Sequence, residues 1–343
     1  MSTPTSIHPK QALFGAEHTA PLLPVCDHYA GVEPRMSKSL ALQAEMGQEH
    51  GRAVFDVTLD LEDGAGLGNE QAHRDLVCEL ITSQANAFNR VGVRVHDPLH
   101  PHFAEDIDTV VRRAGARLAY VMVPKLSGED DARRAVRAVR EAEARHGIAR
   151  EIPVHGLIET YQGLHDVHRI ALLPGIESLS FGLMDFVSEH RGAIPATAMG
   201  AQGQFQHPLV LRAKLEIAAA CHGAHITPSH CVVTEFKDTR ALLQAATKAT
   251  RELGYTRMWS IHPAQIPVIL EAFAPVTAEV DDAVEILLAA QAAQWAPTSY
   301  HGVLHDRASY RHYWCVLERA WLTGQPLPAD VEAAFFSHAV SSA

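Results

Sequence analysis

Two carboxylates, Glu159 and Asp185, have the residue type and spacing of a metal site in this chain of 343 residues. Each ends an apolar run, VHGLIE or SLSFGLMD, and a stretch of helical character, TYQGLHDVHRIALL, separates the runs. Two buried strands joined by a helix are parallel neighbours, so both acids are expected at adjacent C-terminal strand ends. Neither run contains Lys or Arg, and converging carboxylates repel unless a cation separates them. A hard divalent cation such as Mg²⁺ fits this position. The alternative is that each acid caps the helix that follows it.

Strand-like and helix-like segments alternate along most of the chain. No GxGxxG or GxxxxGK[ST] motif follows a strand, which disfavours dinucleotide and P-loop folds. About eight βα units are present, and this number favours a closed barrel of parallel strands. The predicted fold class is therefore α/β, a (β/α)8 TIM barrel with an extra C-terminal helical segment. The predicted strands lie in PLLPVCDHY, AVFDVTLDLEDGAG, VGVRVHDP, RLAYVMVPK, VHGLIE, SLSFGLMD, HITPSHCVVTEF and RMWSIHPAQI.

Three parts of the chain are predicted: an N-terminal arm at 1–20, a barrel catalytic domain at 21–274 and a C-terminal helical extension at 275–343. The arm is polar and contains two prolines. After Ala274 the pattern becomes a long helix, an irregular turn and a final helix, which exceeds what a barrel needs. The aromatic residues of this extension are expected to pack either on a neighbouring subunit or on the chain's own barrel.

Composition excludes several classes of protein. The formal net charge of −11 disfavours a general affinity for nucleic acid or anionic membranes. The five cysteines are scattered without a CxxC motif, which indicates a reducing compartment rather than a disulfide framework. No signal-peptide pattern or apolar run of membrane-spanning length is present. A cytoplasmic protein without nucleic-acid or membrane partners is expected.

Six motifs occur in chain order between about Leu22 and about Ala320. They are LEDGA, VRVHDP, VPK, IET with GLMD, SIHPAQI and GVLHDR. This set resembles the citrate lyase beta-subunit family, the HpcH-type aldolases that include malyl-CoA and citramalyl-CoA lyases. The sequence departs from that family's pattern at RVHD, at VVTEF, at Ser260 and at LLPVCDHYAG. The metal motifs are retained, whereas the substrate and the use of CoA are left open.

The resemblance implies both a fold and a set of site residues. It implies a barrel with a C-terminal segment exchanged between subunits in a homotrimer or hexamer. It implies Mg²⁺, or Mn²⁺, on Glu159 and Asp185. It also implies that Arg94 and the backbone amides of Gly182 and Leu183 contact a substrate carboxylate.

Charged residues at neighbouring strand ends have predicted supporting roles. Glu62 and Asp63 are expected to hold metal-bound waters or to orient Arg94. Lys125 is predicted either to bind substrate or to be structural. Arg94 suits bidentate binding of a carboxylate, but a structural ion pair with Asp60, Glu62 or Asp63 is the alternative.

Asp306, in GVLHDR, is the last predicted catalytic residue. The resemblance implies that it reaches a neighbouring subunit and transfers the proton at the acyl carbon, for which burial would need to raise its pKa. The alternatives are an ion pair with Arg307 or Arg311, or capping of the helix that opens near Ser309.

The predicted function is a Mg²⁺-dependent carbon–carbon lyase acting on a short hydroxy acid as its CoA thioester. A metal that binds a 2-oxo acid polarises its carbonyl and stabilises the enolate formed beside it. The expected partners are a 2-oxo or hydroxy acid and an acyl-CoA. A class II pyruvate aldolase without CoA, or a barrel that binds the metal and the 2-oxo acid without turnover, remains an alternative.

Overall fold

Eight parallel strands form a closed barrel in the computed structural model, which describes residues 7–15, 21–66 and 68–336. Each strand pairs with the next one, and the eighth pairs with the first. This confirms the predicted α/β class and the (β/α)8 barrel. The strands are β1 Cys26–Ala30, β2 Asp56–Asp60, β3 Val91–Arg94, β4 Leu118–Val123, β5 Val154–Ile158, β6 Ile176–Phe181, β7 Thr227–His230 and β8 Arg257–Ser260.

Helices connect the strands and cover the barrel. In the barrel segment they are α2 Glu33–Gln48, α3 Glu70–Thr82, α4 Phe103–Ala114, α5 Glu129–His146, α6 Tyr161–His165, α7 Val167–Ala171, α8 Leu183–Glu189, α9 Pro208–Gly223, α10 Thr239–Arg251 and α11 Gln265–Phe273, preceded by α1 Pro9–Phe14. The helical stretch between β5 and β6 is divided at Asp166. Helix α5 ends at Gly147, whose φ of 68° lies in the left-handed region that favours glycine.

The position of Asp185 corrects one expectation. Strand β6 ends at Phe181, and the chain enters α8 at Leu183, so Asp185 lies in the first turn of that helix rather than at a strand end. Glu159, by contrast, directly follows Ile158, the last residue of β5. The two strands are parallel neighbours, as predicted.

The described residues form two units. One is Leu23–Ala272, which contains the barrel, and the other comprises described residues within Met1–Leu22 and Phe273–Ala343. The second unit contains α1, α12 Thr277–Ala292, α13 Arg307–Leu322, α14 Ala329–Phe335 and the strands β9 Thr298–Tyr300 and β10 Val303–His305. Its core includes Leu13, so part of the predicted N-terminal arm packs with the C-terminal extension. Residues 1–6 and 16–20 of that arm lie outside the described ranges.

A hairpin replaces the irregular turn predicted after α12. Strands β9 and β10 are antiparallel and joined by His301 and Gly302, which have positive φ angles of 48° and 79°. Two central residues with positive φ match the turn that fits the twist of a hairpin. None of the described helices has the length and apolar character needed to cross a membrane.

The N-terminal ends of the strands are tied together by buried charges. Arg257 on β8 pairs with Asp56 on β2 at 2.7 Å and with Asp27 on β1 at 3.2 Å. Its guanidinium also donates to the Pro24 carbonyl, and Arg90 makes a second pair with Asp56. All three strands therefore depend on one guanidinium in the barrel interior.

Arg257→Met should lower the free energy of unfolding by about 3–5 kcal/mol, because it removes the cation beside the buried Asp27 and Asp56. The control is Arg212→Met, which removes an exposed pair with Glu216 on one helix face and should cost at most about 0.5 kcal/mol. Urea unfolding followed by circular dichroism measures both. A loss below about 1 kcal/mol for Arg257→Met would contradict the structural role.

Candidate active site

Glu159 lies at the C-terminal mouth of the barrel, in contact with the backbone of the next strand. Its side chain is 3% exposed. A Cβ atom on Gly182 would lie 2.1 Å from Glu159 Oε2 and 2.5 Å from its Cβ. Gly182 is therefore the residue that gives the Glu159 carboxylate its space.

The Glu159 carboxylate is hydrogen-bonded by a backbone amide, because its oxygen Oε1 accepts from the Lys125 N–H group at 2.6 Å. Burial, and then the nearby Asp185 carboxylate, raise the pKa of Glu159 to about 8. The two acids predicted as metal ligands therefore influence each other electrostatically. Asp185 is half-buried.

Arg94 is held by a carboxylate of the preceding strand. Its Nε and Nη2 atoms donate to Asp60 Oδ1 and Oδ2 at 2.7 and 2.9 Å. Its Nη1 atom lies 3.2 Å from Glu62 Oε2, an oxygen that accepts no hydrogen bond from the described residues. The ion pair considered as an alternative for Arg94 is therefore present, and Nη1 is the side of the guanidinium less committed to the protein.

Asp60 is the anchor of this arrangement, although its sequence pattern did not single it out as a site residue. Its carboxylate also accepts from the Tyr29 hydroxyl, from Gly64 N at 2.6 Å and from Glu62 N at 3.1 Å. Tyr29 accepts a bond from Arg94 Nη2 at 2.9 Å. The alternation in DVTLD, which places Asp60 on the same face as Asp56, was the available signal; nothing in the sequence indicated Tyr29.

Lys125 links the acids of two strand ends. Its Nζ atom donates to Glu62 at 2.5 Å and to Asp63 at 3.0 Å. Burial lowers the pKa of Lys125, but the two carboxylates outweigh it and raise the pKa overall. Its φ of 51° is unusual for a side chain with a Cβ, and in this conformation its amide reaches Glu159. The structural role considered for Lys125 is thus present.

The predicted contacts of the Gly182 and Leu183 amides with a substrate carboxylate need one correction. The Gly182 amide donates to the Ile158 carbonyl at 3.1 Å, so this N–H group belongs to the β5–β6 ladder rather than to a substrate. Leu183 is the first residue of α8 and is buried. Its contact with substrate stays a prediction.

Asp306 caps α13. Its Oδ1 atom accepts from Ala308 N at 3.0 Å and Ser309 N at 3.5 Å, and Ser309 Oγ accepts from the Asp306 amide. The capping role named as an alternative is therefore present. Its catalytic role stays a prediction.

The carboxylates fit a hard divalent cation. Within the described ranges, no group of three or more His, Cys, Asp or Glu residues is arranged to hold a metal. Mg²⁺, however, is commonly bound by one or two carboxylates together with water and substrate oxygens. Glu159 is buried and lies near a second acid, Asp185, and both conditions raise its pKa. A divalent cation would stabilise the ionised form of both carboxylates.

Comparison with known proteins identifies the family. The sequence model of the HpcH/HpaI aldolase/citrate lyase family matches residues 40–263. The chain belongs to this family, which confirms the resemblance of its motifs. It is an enzyme of the carbon–carbon lyase class.

Three similar proteins illustrate the range of this likeness. An L-malyl-CoA/beta-methylmalyl-CoA lyase from Cereibacter sphaeroides is 26% identical over 280 residues, which cover 77% of this chain and 86% of the relative. A crystal structure of a citrate lyase from Burkholderia xenovorans LB400 is 52% identical, with a TM-score of 0.81 and coverage of 96% and 100%. The protein CitE from Mycobacterium tuberculosis, in complex with magnesium, acetoacetate and coenzyme A, is 20% identical, with a TM-score of 0.62 and coverage of 87% and 98%.

Gly182→Ala should lower the free energy of unfolding by about 1–3 kcal/mol, because the new Cβ overlaps the Glu159 side chain near its base. Gly223→Ala is the control, since a Cβ at Gly223 meets no atom within 4 Å. It should leave stability unchanged or raise it by up to about 1 kcal/mol. Equal urea unfolding midpoints in the two variants would show that the close approach at Gly182 is not needed.

Proposed function

We propose that this chain is a Mg²⁺-dependent lyase that cleaves or forms a short hydroxy acid as its CoA thioester. The observation that carries the proposal is the buried Glu159 carboxylate, whose pKa the neighbouring Asp185 raises further. Such a pair stores electrostatic repulsion that a divalent cation relieves. Mn²⁺ would satisfy the same oxygen donors.

The names of similar proteins support the substrate class. The Cereibacter sphaeroides relative is named for malyl-CoA and beta-methylmalyl-CoA. The Mycobacterium tuberculosis structure contains magnesium, acetoacetate and coenzyme A. We extend to this chain what these proteins share, a short acid and CoA, as part of the proposal.

Arg94 is the residue proposed to bind the carboxylate of the 2-oxo acid. Asp60 and Tyr29 hold its Nε and Nη2 atoms, so the guanidinium plane is fixed before substrate arrives. Nη1 then donates to the substrate. A fixed guanidinium loses little conformational freedom on binding, which favours both affinity and orientation.

The remaining residues of the mouth position charge. Glu159 and Asp185 would hold the cation, which supplies polarisation of the substrate carbonyl when bound. Glu62 and Asp63, held by Lys125, are proposed to orient water molecules around the cation, and Glu62 also pairs with Arg94. The Leu183 amide is proposed to contact the same substrate carboxylate as Arg94.

Asp306 is proposed to transfer the proton at the acyl carbon in the barrel of a neighbouring subunit of a homotrimer or hexamer. Both of its capping bonds end on Oδ1, so Oδ2 is the oxygen assigned to the proton. Capping fixes the carboxylate at the start of α13, next to the hairpin of β9 and β10. The capping and catalytic roles are compatible, because they use different oxygens.

Mg²⁺ should raise the melting temperature of the parent protein, because a ligand that binds only the folded state stabilises it. Glu159→Gln should abolish this shift while the barrel stays folded, since Gln can still accept the Lys125 amide. Glu216→Gln, on the exposed face of α9, is the matched control and should retain the parent shift. A Glu159→Gln protein that responds to Mg²⁺ as the parent does would contradict the proposed metal site.

The same melting assay, together with a turnover assay, separates the proposed function from its two alternatives. Acetyl-CoA or propionyl-CoA, added with Mg²⁺, should give a further stabilisation. A pyruvate aldolase without CoA would respond to pyruvate but not to the thioester. A binding protein would respond to ligands and show no turnover of malyl-CoA or citramalyl-CoA.

Mixing two inactive variants tests Asp306. Asp306→Asn retains a good N-cap residue, so it should fold and form the parent oligomer without activity. Mixed with Glu159→Gln subunits, it should regain activity wherever an intact Asp306 meets an intact Glu159 barrel. The control mixes Asp306→Asn subunits with subunits that carry both Asp306→Asn and Glu159→Gln, which supply neither an intact Asp306 nor an intact Glu159. If mixed oligomers form and remain inactive, Asp306 does not act in trans.

A further inference from the structure

Three buried polar groups on consecutive strands of the barrel lack a hydrogen-bond partner among the described residues. They are the hydroxyls of Ser180 on β6 and Ser229 on β7, and the indole N–H of Trp259 on β8. The two serines are 2% and 0% exposed, and Trp259 is 8% exposed. Buried polar groups of this kind are uncommon in native structures unless water or a ligand satisfies them.

Trp259 faces the interior of the barrel. It packs in one cluster with Met122 and Leu157, and Tyr29 packs against that cluster. These residues come from β1, β4, β5 and β8, and side chains from strands so far apart around the sheet can meet only in the barrel interior.

The two serines face the same interior. Leu157 is the cross-strand partner of Ser180, and Ser180 is the partner of Ser229, so all three point to one face of the sheet. The next residue along β7, His230, points the other way and contacts Lys214 of α9. We call Ser180, Ser229 and Trp259 the lumen triad.

The lumen triad lies next to the proposed substrate site. Glu159 is two residues beyond the strand partner of Ser180, a rise of about 7 Å along the strand. The Trp259 ring stacks on Tyr29 with 5.8 Å between ring centroids. Tyr29 in turn binds Arg94 through its hydroxyl. The lumen triad therefore forms the layer directly below the metal and carboxylate ligands.

The lumen triad is uncharged, and the charge below it is balanced. Arg257 is the cross-strand partner of Ser229 and pairs with Asp27 and Asp56, and Arg90 supplies the second cation beside Asp56. The lumen triad thus offers two hydroxyl groups and an indole N–H group. It has no surplus positive charge that could pair with a second carboxylate of the substrate. An uncharged oxygen is the group that suits these partners, since burying an unpaired charge is costly.

Short side chains are unusual at such positions. The interior of a (β/α)8 barrel is normally filled by bulky branched residues, whereas β6 and β7 place Ser180 and Ser229 there. We propose that the lumen triad is a subsite that binds an uncharged oxygen, a hydroxyl or carbonyl, on the substituent of the 2-oxo acid. This inference rests on the proposed function and narrows its substrates to 2-oxo acids with an oxygenated side chain.

Calorimetry with two matched acids tests the subsite. Hydroxypyruvate and pyruvate differ by one hydroxyl, and the parent protein with Mg²⁺ should bind hydroxypyruvate about tenfold more tightly. The double variant Ser180→Ala, Ser229→Ala should bind both acids equally, with pyruvate affinity unchanged. Trp259→Phe should reduce the preference while keeping the aromatic ring.

Ser178→Ala is the matched control. Ser178 is a buried serine of the same strand, but its hydroxyl already donates to the Thr227 carbonyl at 2.8 Å. It should lose stability without changing the preference for hydroxypyruvate, and circular dichroism checks that every variant is folded.

Each outcome bears on one claim. A parent protein without preference, or a folded double variant that keeps it, overturns the subsite and leaves the proposed function intact. If the parent and all variants bind the two acids equally, and the Ser180→Ala, Ser229→Ala variant melts at a lower temperature, the lumen triad binds buried water only. If neither acid binds the parent, both the proposed function and the subsite are overturned.

Discussion

The ion pair between Asp60 and Arg94 is the interaction on which the mouth of the barrel depends. A buried guanidinium is costly unless it is paired and hydrogen-bonded, and Asp60 supplies both functions through two oxygens. The same carboxylate receives the amides of Gly64 and Glu62. The Asp60 side chain therefore fixes both the backbone after β2 and the orientation of the Arg94 guanidinium. A change in one is expected to change the other.

The opposite side of the mouth has the reverse electrostatic character. Glu159 and Asp185 are acids that repel each other, and Glu159 is held by a backbone amide rather than by a cationic side chain. Lys125 supplies that amide, yet it directs its ammonium group away to Glu62 and Asp63. The cationic groups of Arg94 and Lys125 are thus paired with acids of the protein, whereas Glu159 and Asp185 are the acids proposed to bind a divalent cation. This division favours binding of a metal and an anionic substrate together.

Sequence periodicity was sufficient to predict the barrel, because each strand and helix carries its own local pattern. The position of Glu159 directly after β5 was predictable for the same reason, since it follows a buried apolar run. The identity of its surroundings was harder to predict. Asp60 and Tyr29 meet Arg94 only through the register of three strands, which no local pattern encodes. Asp185 was misplaced because an apolar run does not reveal where a buried strand turns into a helix after glycine.

The polar groups in the barrel interior differ along the barrel axis: ion pairs lie at the N-terminal end, neutral hydroxyls above them and acids at the C-terminal end. At the N-terminal end, Arg257 and Arg90 form ion pairs with Asp27 and Asp56, so this layer contributes stability and carries no surplus charge. At the C-terminal end, burial and then the Asp185 carboxylate raise the pKa of Glu159, whose hydrogen bond comes from the Lys125 backbone amide. Ser180 and Ser229 lie between these layers, where a neutral polar group can satisfy an oxygen without disturbing either charge balance.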